Sequence, residues 1–252
     1  MKLKVTGSIV TYNNSDVIEE CVSTVLEQTA GLDFTLYLID NASTDNTVKL
    51  VREKFPQVEL ICLEKNVGFG HGHNQVLDLL ESDYHVVINP DISLSVPAVD
   101  ELCGFLEENP QVAMATPRIL NEDGSEQHLP KYGPTIRYAI ISKFKPFKYL
   151  RRRYTRQDEM LSKPTDVEFC TGCFFVIRTA VFRRLEGFDR RFFMYCEDAD
   201  LSRRVRQQAR IVFYPETSAI HKWKRDNTRS IKGVMRFMTS LLKYFLKWGI
   251  SF

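Results

Sequence analysis

Short apolar runs alternate with longer segments of helical period through the first third of the chain. Residues 4–11, 34–39, 58–63 and 85–88 are rich in Val, Ile and Leu, as strands buried on both faces are. Between them the spacing predicts helices over 16–28, 44–54 and 72–80, with Ser15-Asp16 and Ser43-x-x-Asn46 as N-caps. Strands alternating with helices predict a parallel sheet with right-handed crossovers. The loops at 11–15, 40–45, 66–73 and 89–92 then open on one edge, the carboxyl edge where α/β sheets bind ligands. Residues 1–112 read as a nucleotide-binding α/β layer.

Beyond residue 112 the pattern is less regular. Asn121-Glu122-Asp123-Gly124 reads as a hairpin turn, and the basic and aromatic stretch 138–154 as an exposed loop or short helices. Order returns at 168–178, and a helix is expected over 199–208. At about 100° per residue, Ile231, Val234, Met235, Met238, Leu241, Leu242 and Phe245 share one face of a terminal helix. Arg229, Lys232, Arg236, Lys243 and Lys247 gather on the opposite one. This divides the chain into a domain over 1–225, with halves 1–112 and 113–225, and an amphipathic basic tail over 226–252.

Composition changes the picture through the distribution of charge. The net charge is +2, yet eight basic and no acidic residues lie in 137–156, and eight basic with one acidic in 222–247. The rest of the chain is acidic. Basic segments raise a nucleic-acid reading, but the aromatic, amphipathic character of the tail points instead to an anionic bilayer surface. Packing of its apolar face on the body or on a sister subunit is the alternative. Six scattered cysteines, no leader at Lys2–Lys4 and no apolar run of 18 residues suit a cytoplasmic chain that does not span a membrane. Cys170-x-x-Cys173 is a single pair and reads as buried small hydrophobes.

The sheet-edge loops supply the candidate chemistry. Asn89-Pro90-Asp91 ends the fourth strand. By itself it is a turn sequence, but its carboxylate is also placed to hold a divalent cation. Tyr12, beside Thr11, could stack on a nucleobase, and Asp40 could accept the N3 hydrogen of a pyrimidine or simply form a capping turn. The run Asn66 to Asn74, with Gly68, Gly70 and Gly72, allows close backbone approach to phosphate without matching a dinucleotide or P-loop fingerprint. Glu197-Asp198-x-Asp200 is either an acidic helix start, with Asp200 pairing Arg203 or Arg204, or the seat of a base.

Taken together, Val10-Thr11-Tyr12-Asn13, Ile39 through Asp45, Asn66-Val67-Gly68, Asn89-Pro90-Asp91, Gly187-Phe188-Asp189 and Glu197-Asp198-x-Asp200-Leu201 resemble the family 2 inverting glycosyltransferases of GT-A fold. Within them, the chain is similar to the bacterial rhamnosyltransferase-like branch. The resemblance implies a Rossmann-like, mostly parallel sheet flanked by helices, followed by the amphipathic extension. It implies nucleotide-sugar contacts from Thr11, Tyr12, Asp40, Asn66, Gly68, Asn74, Asn89 and Asp91. Asp91 is then the metal carboxylate of an Asp-x-Asp motif whose first member is Asn89 here, His221 completes the shell around Mg²⁺ or Mn²⁺, and Asp198 is the general base.

The implied reaction moves a sugar, rhamnose from dTDP-rhamnose, to a hydroxyl of a glycan or polyprenyl-linked glycan at the inner face of the cell membrane. A UDP-hexose or UDP-N-acetylhexosamine donor is the alternative. So, from another class, is a noncatalytic nucleotide-sugar-binding subunit of a polysaccharide assembly complex, which would have no use for Asp198.

Overall fold

The four strands and the first two helices read through residue 88 form. In the computed structural model, which describes residues 2–139, 148–159, 161–222 and 231–250, the first half comprises β1 (Lys4–Thr11), α1 (Ile18–Gln28), β2 (Asp33–Asp40), α2 (Thr47–Lys54), β3 (Glu59–Cys62), α3 (Phe69–His73) and β4 (Tyr84–Ile88). Strands β1, β2, β3 and β4 pair in parallel. All five residues of β4 are buried, as a strand covered on both faces requires.

The helix expected over 72–80 is instead the short α3 followed by a 3₁₀ turn, Asn74–Leu79. Gly70 and Gly72 pack so tightly against Phe188 and Val10 that an added Cβ would lie 2.6 and 2.7 Å from those side chains. Close packing therefore sets this segment's path rather than helical propensity. The expected serine caps are also not made: Ser43 Oγ accepts the Asn13 N–H, and α1 starts only at Ile18.

The second half adds β5 (Ile92–Ser93), α4 (Ala98–Glu108), β6 (Val112–Leu120), α5 (Ile136–Ala139), α6 (Lys148–Tyr154), β7 (Thr165–Asp166), β8 (Phe174–Arg178), α7 (Thr179–Arg184), α8 (Glu197–Arg206), β9 (Arg210–His221) and α9 (Ile231–Trp248). One sheet runs β3-β2-β1-β4-β8-β6-β9-β5, with β7 on β9. The two sequence halves share it, because β8 lies antiparallel against β4 with Ile88 opposite Phe174. The hairpin turn at 121–124 forms, Gly124 N–H bonding to Asn121 O at 3.0 Å with a φ of 80° that suits glycine. The basic stretch 138–154 contributes the end of α5 and all of α6; residues 140–147 lie outside the described residues. All six cysteines are free thiols, and Cys170 and Cys173 are buried.

A polar file crosses the core beneath β1. Ser8 Oγ bonds to His73 Nδ1 at 2.7 Å and His85 Nε2 at 2.8 Å, and Thr6 Oγ1 to His85 Nδ1 at 2.9 Å. Burial pushes the His85 imidazole down to about 3 and lowers His73 as well. An unfolded histidine titrates near 6.5, so between about 3 and 6.5 the unfolded chain binds a proton that folded His85 refuses. Stability should therefore fall as pH drops through 6.5, by roughly 1.4 kcal/mol per pH unit for each such histidine. Thermal melts between pH 7 and pH 5 should show this slope, and His85→Gln should reduce it; an equal slope in the variant would contradict the account.

The terminal helix forms, and it docks on the body through a stripe that overlaps only the edge of the periodic apolar face. Gly233, Ser240, Leu241 and Tyr244 are buried, and Phe237, Phe245 and Trp248 pack with them on Phe169, Phe192, Cys196 and Ala199. Of the apolar face expected from periodicity, Val234, Met235, Met238 and Leu242 stand exposed. Lys247, on the basic face opposite the periodic apolar one, turns to the body at Asp189, 2.7 Å away, and Asp200, 2.5 Å away. The reason is Asp200, a carboxylate with no solvent exposure that is held by Arg204, Lys247 and the Trp248 indole N–H. A buried charge needs such partners, and they fix the helix's rotation. Among the described residues no helix is long and apolar enough to cross a membrane.

Candidate active site

The loops after β1 and β2 are knitted into one rim. Asn13, in the left-handed region at φ 55°, accepts the Thr44 N–H at 2.8 Å, while Asn14 Oδ1 accepts both the Thr11 hydroxyl and the Tyr12 N–H at 3.0 Å. Thr11 is thus buried and committed to the loop, whereas the Tyr12 ring is 47% exposed. Asp40 combines the two roles its sequence left open. One carboxylate oxygen accepts the Ser43 N–H at 2.9 Å; the other is buried with no partner among the described residues. A buried unpaired acceptor costs stability unless a ligand donor meets it.

The glycine loop stands next to this rim. Asn66 accepts the Gly68 N–H, and Asn41 holds the same turn from both sides through the Val67 N–H and the Gly68 carbonyl. Gly68 has a φ of 92°, and a Cβ there would lie 2.2 Å from the Phe193 carbonyl oxygen. Its freedom serves the close approach of two protein backbones, sealed by a Phe69 N–H to Phe193 O bond of 2.9 Å. Asn74 is committed elsewhere: its amide donates to Phe188 O at 2.7 Å and accepts the Phe188 N–H at 2.9 Å. It ties the α3 segment to the Gly187–Phe188 turn.

Asn89, Asp91 and His221 converge at the next corner, because β5 pairs with β9 and sets Ile92 opposite His221. His221 Nε2 lies 3.2 Å from Asp91 Oδ1 and 3.4 Å from Asn89 Nδ2. Gln127 grips the histidine at Nδ1, 3.1 Å away, and at its carbonyl, 2.7 Å away. An imidazole whose Nδ1–H is given to Gln127 presents the Nε2 lone pair to the carboxylate. Two such acceptors at this distance require a proton or a cation between them, so the pair fits a metal corner. Among the described residues no group of three His, Cys, Asp or Glu gathers. Among the described residues this corner therefore offers Asp91, His221 and the Asn89 amide.

Asp198 sits in the first turn of α8, behind Tyr195 and Cys196 at φ 70° and 64°. Two successive non-glycine residues in the left-handed region are costly, a strain found where geometry serves a site. The carboxylate accepts the Gly172 N–H at 3.1 Å and the Ala199 N–H at 2.9 Å. Burial pushes its carboxyl above the usual range, against those two donors and the Lys131 ammonium. Glu197 is buried as well, and burial together with the Asp198 charge drives it further up. Lys131, half-buried with its ammonium 5.7 Å from the Phe169 ring centre, is a neighbour that sequence reasoning missed. Gln127 was missed too, and neither belongs to a recognisable spacing.

The Asp91 corner and Asp198 are joined by two adjacent residues. Asn89 N–H donates to the Cys173 carbonyl at 2.8 Å, and Gly172 N–H to Asp198. The buried Cys170-x-x-Cys173 turn is thus a spacer between the Asp91–His221 corner and Asp198, with Tyr12 and Asp40 on the same edge of the sheet.

The sequence profile of Glycosyl transferase family 2 matches residues 8–186. The chain belongs to glycosyl transferase family 2. Relatives of this family 2 chain include the N-acetylglucosaminyl-diphospho-decaprenol L-rhamnosyltransferase of Mycobacterium tuberculosis, 27% identical over 203 residues that cover 74% of the chain. The chain spans 66% of that relative's length. Rhamnosyltransferase WbbL of Escherichia coli K12 is 28% identical over 192 residues, covering 71% of the chain and 70% of the relative. Among solved structures, GalNAc-T7 with UDP, GalNAc and Mn²⁺ superposes with a TM-score of 0.72 at 15% identity, over 98% of the chain and 48% of that protein. That likeness establishes the GT-A type of fold.

Proposed function

We propose that this family 2 chain is an inverting glycosyltransferase that moves L-rhamnose from dTDP-rhamnose to a hydroxyl of a lipid-linked glycan in cell-surface polysaccharide synthesis. The observation that carries the reading is the Gly172–Cys173 spacer, which fixes the Asn89–Asp91–His221 corner and Asp198 at neighbouring peptide groups. An inverting transfer needs these two functions on opposite sides of one sugar. Asp198 takes the acceptor hydroxyl proton as the new bond from that oxygen to the anomeric carbon forms. The bond from the anomeric carbon to the diphosphate oxygen breaks, and the nucleoside diphosphate leaves with its electron pair.

Asp91 and His221 would hold a divalent cation, Mg²⁺ or Mn²⁺, with Asn89 beside them. A cation there supplies charge neutralisation of the departing diphosphate. The pyrimidine is received by the unpartnered oxygen of Asp40 and the exposed ring of Tyr12. A buried carboxyl raised by desolvation, as Asp198 is, suits a base that must bind a proton transiently. The donor sugar and lipid-linked acceptor rest on the kinship to the two rhamnosyltransferases. A nucleotide-sugar donor together with a lipid carrier would put the reaction at the cytoplasmic face of the membrane.

The test is transfer to an N-acetylglucosaminyl-diphospho-polyprenyl acceptor, with dTDP-rhamnose, UDP-glucose and UDP-N-acetylglucosamine supplied separately and product configuration read by NMR. A rhamnosylated product of inverted anomeric configuration is expected only from dTDP-rhamnose. Equal or faster transfer from a UDP-sugar would replace the donor assignment, and a retained configuration would overturn the mechanism.

A further inference from the structure

We infer that the outward face of α9 is a docking surface for an anionic lipid bilayer, a step that rests on the lipid-linked acceptor proposed above. Ten large apolar side chains stand exposed among the described residues, and six of them are here: Val234, Met235, Met238, Leu242, Leu246 and Ile250. The five within the helix fall on an arc of about 120°, directly beside the stripe that docks on the body. Soluble surfaces scatter such residues singly; a continuous stripe marks something that covers it.

Charge selects the occupant. Lys232, Arg236 and Lys243 border the stripe on one side, and no Asp or Glu occurs from residue 231 to 250. Where that border meets the body, an open groove of about 340 Å³ lies between α9 and the Phe193–Met194 segment, walled by Arg236, Thr239 and Lys243. Arg236 is stacked over the Phe193 ring at 5.1 Å, and Lys243 donates to the Arg191 carbonyl at 2.7 Å, so both cations are held at the groove. Apolar side chains beside fixed cations and a hydroxyl match acyl chains beneath anionic headgroup phosphates. An α9-to-α9 contact with a second copy would set the same all-basic border against itself.

The docked side of the helix explains why a bilayer contact here bears on transfer. Lys247 and Trp248 both reach Asp200, two residues past Asp198. Phe193, at the groove, gives its carbonyl to Phe69 of the glycine loop. Anchoring α9 therefore orients the base helix and the donor loop relative to the membrane surface.

Flotation of the full chain with vesicles tests this. Wild type should float with phosphatidylglycerol-containing vesicles at least ten times better than with phosphatidylcholine alone. The variant Met235→Glu/Leu242→Glu/Leu246→Glu changes only exposed positions. It should lose that flotation while keeping the wild-type melting temperature and its rate on a short-chain, water-soluble acceptor. Flotation of the variant equal to wild type, or no flotation of wild type, would overturn the proposal. So would a wild-type dimer in sedimentation that the variant makes monomeric, since the stripe would then join two copies. Vesicle binding and soluble-acceptor transfer are read separately: absent transfer with intact, variant-sensitive flotation counts against the transferase reading alone.

Discussion

Asp198→Asn should reduce kcat by roughly 10²- to 10⁴-fold, the range a general base contributes, while affinity for the nucleotide-sugar donor stays within a factor of about two. The amide keeps the shape of the carboxylate, and its carbonyl oxygen can still accept one of the two N–H donors, from Gly172 and Ala199. What is lost is the ability to take a proton. Donor binding, measured by calorimetry, should survive because the proposed donor contacts are Tyr12, Asp40 and the Asp91 corner. Normal turnover by the variant would sink the assignment. The pH profile gives a finer check. Lys131 favours the charged form of Asp198, so Lys131→Met should raise the base's pKa and move the acid limb of kcat/KM to higher pH. A limb that moves down, or stays in place, would place the essential base elsewhere.

Asp91→Ala should weaken donor binding by roughly 100-fold in the presence of Mn²⁺ and very little in its absence. The expectation follows from the corner's composition. His221 and Asp91 are two ligand groups 3.2 Å apart, and Asn89, where the family's motif has a carboxylate, contributes only a neutral amide. With so few charges, removing Asp91 leaves one imidazole, and the donor's own phosphates cannot hold an ion against water with that alone. Gln127→Leu, which frees the Nδ1 side of His221, should reproduce a milder form of the loss. Calorimetric titration with dTDP, with and without metal, decides the matter: an equal loss under both conditions would show that Asp91 contacts the donor directly and holds no ion.

Much of this molecule is written in its local pattern. The apolar runs that become β1 and β4 are legible because strands buried on both faces are mostly Val, Ile and Leu, and their polar members Thr6, Ser8 and His85 enter the core only by hydrogen-bonding one another. The positions of Asp40 and Asp91 at the ends of such runs follow directly. Asn74 shows what pattern reading does not supply. It closes a glycine-rich loop that suggests phosphate, and its amide also ties that loop to Phe188, 114 residues away in sequence. Lys131 and Gln127 carry no motif at all. They matter because a bridge between Lys131 and Phe169 and the hairpin after β6 bring them to Asp198 and His221.

The terminal helix marks the boundary most sharply. Its sequence alone fixed that it is a helix, that it is amphipathic and that it is basic, because those are properties of spacing and composition. Which stripe turns inward was decided by tertiary structure. A buried Asp200 demands Lys247 and the Trp248 indole, and an aromatic bed around Phe192 receives Leu241 and Tyr244. The desolvation cost of an unpaired carboxylate outweighs that of leaving Met235 and Leu242 in water. Periodicity can say that a helix has an apolar face; only the surface it meets determines whether that face is buried.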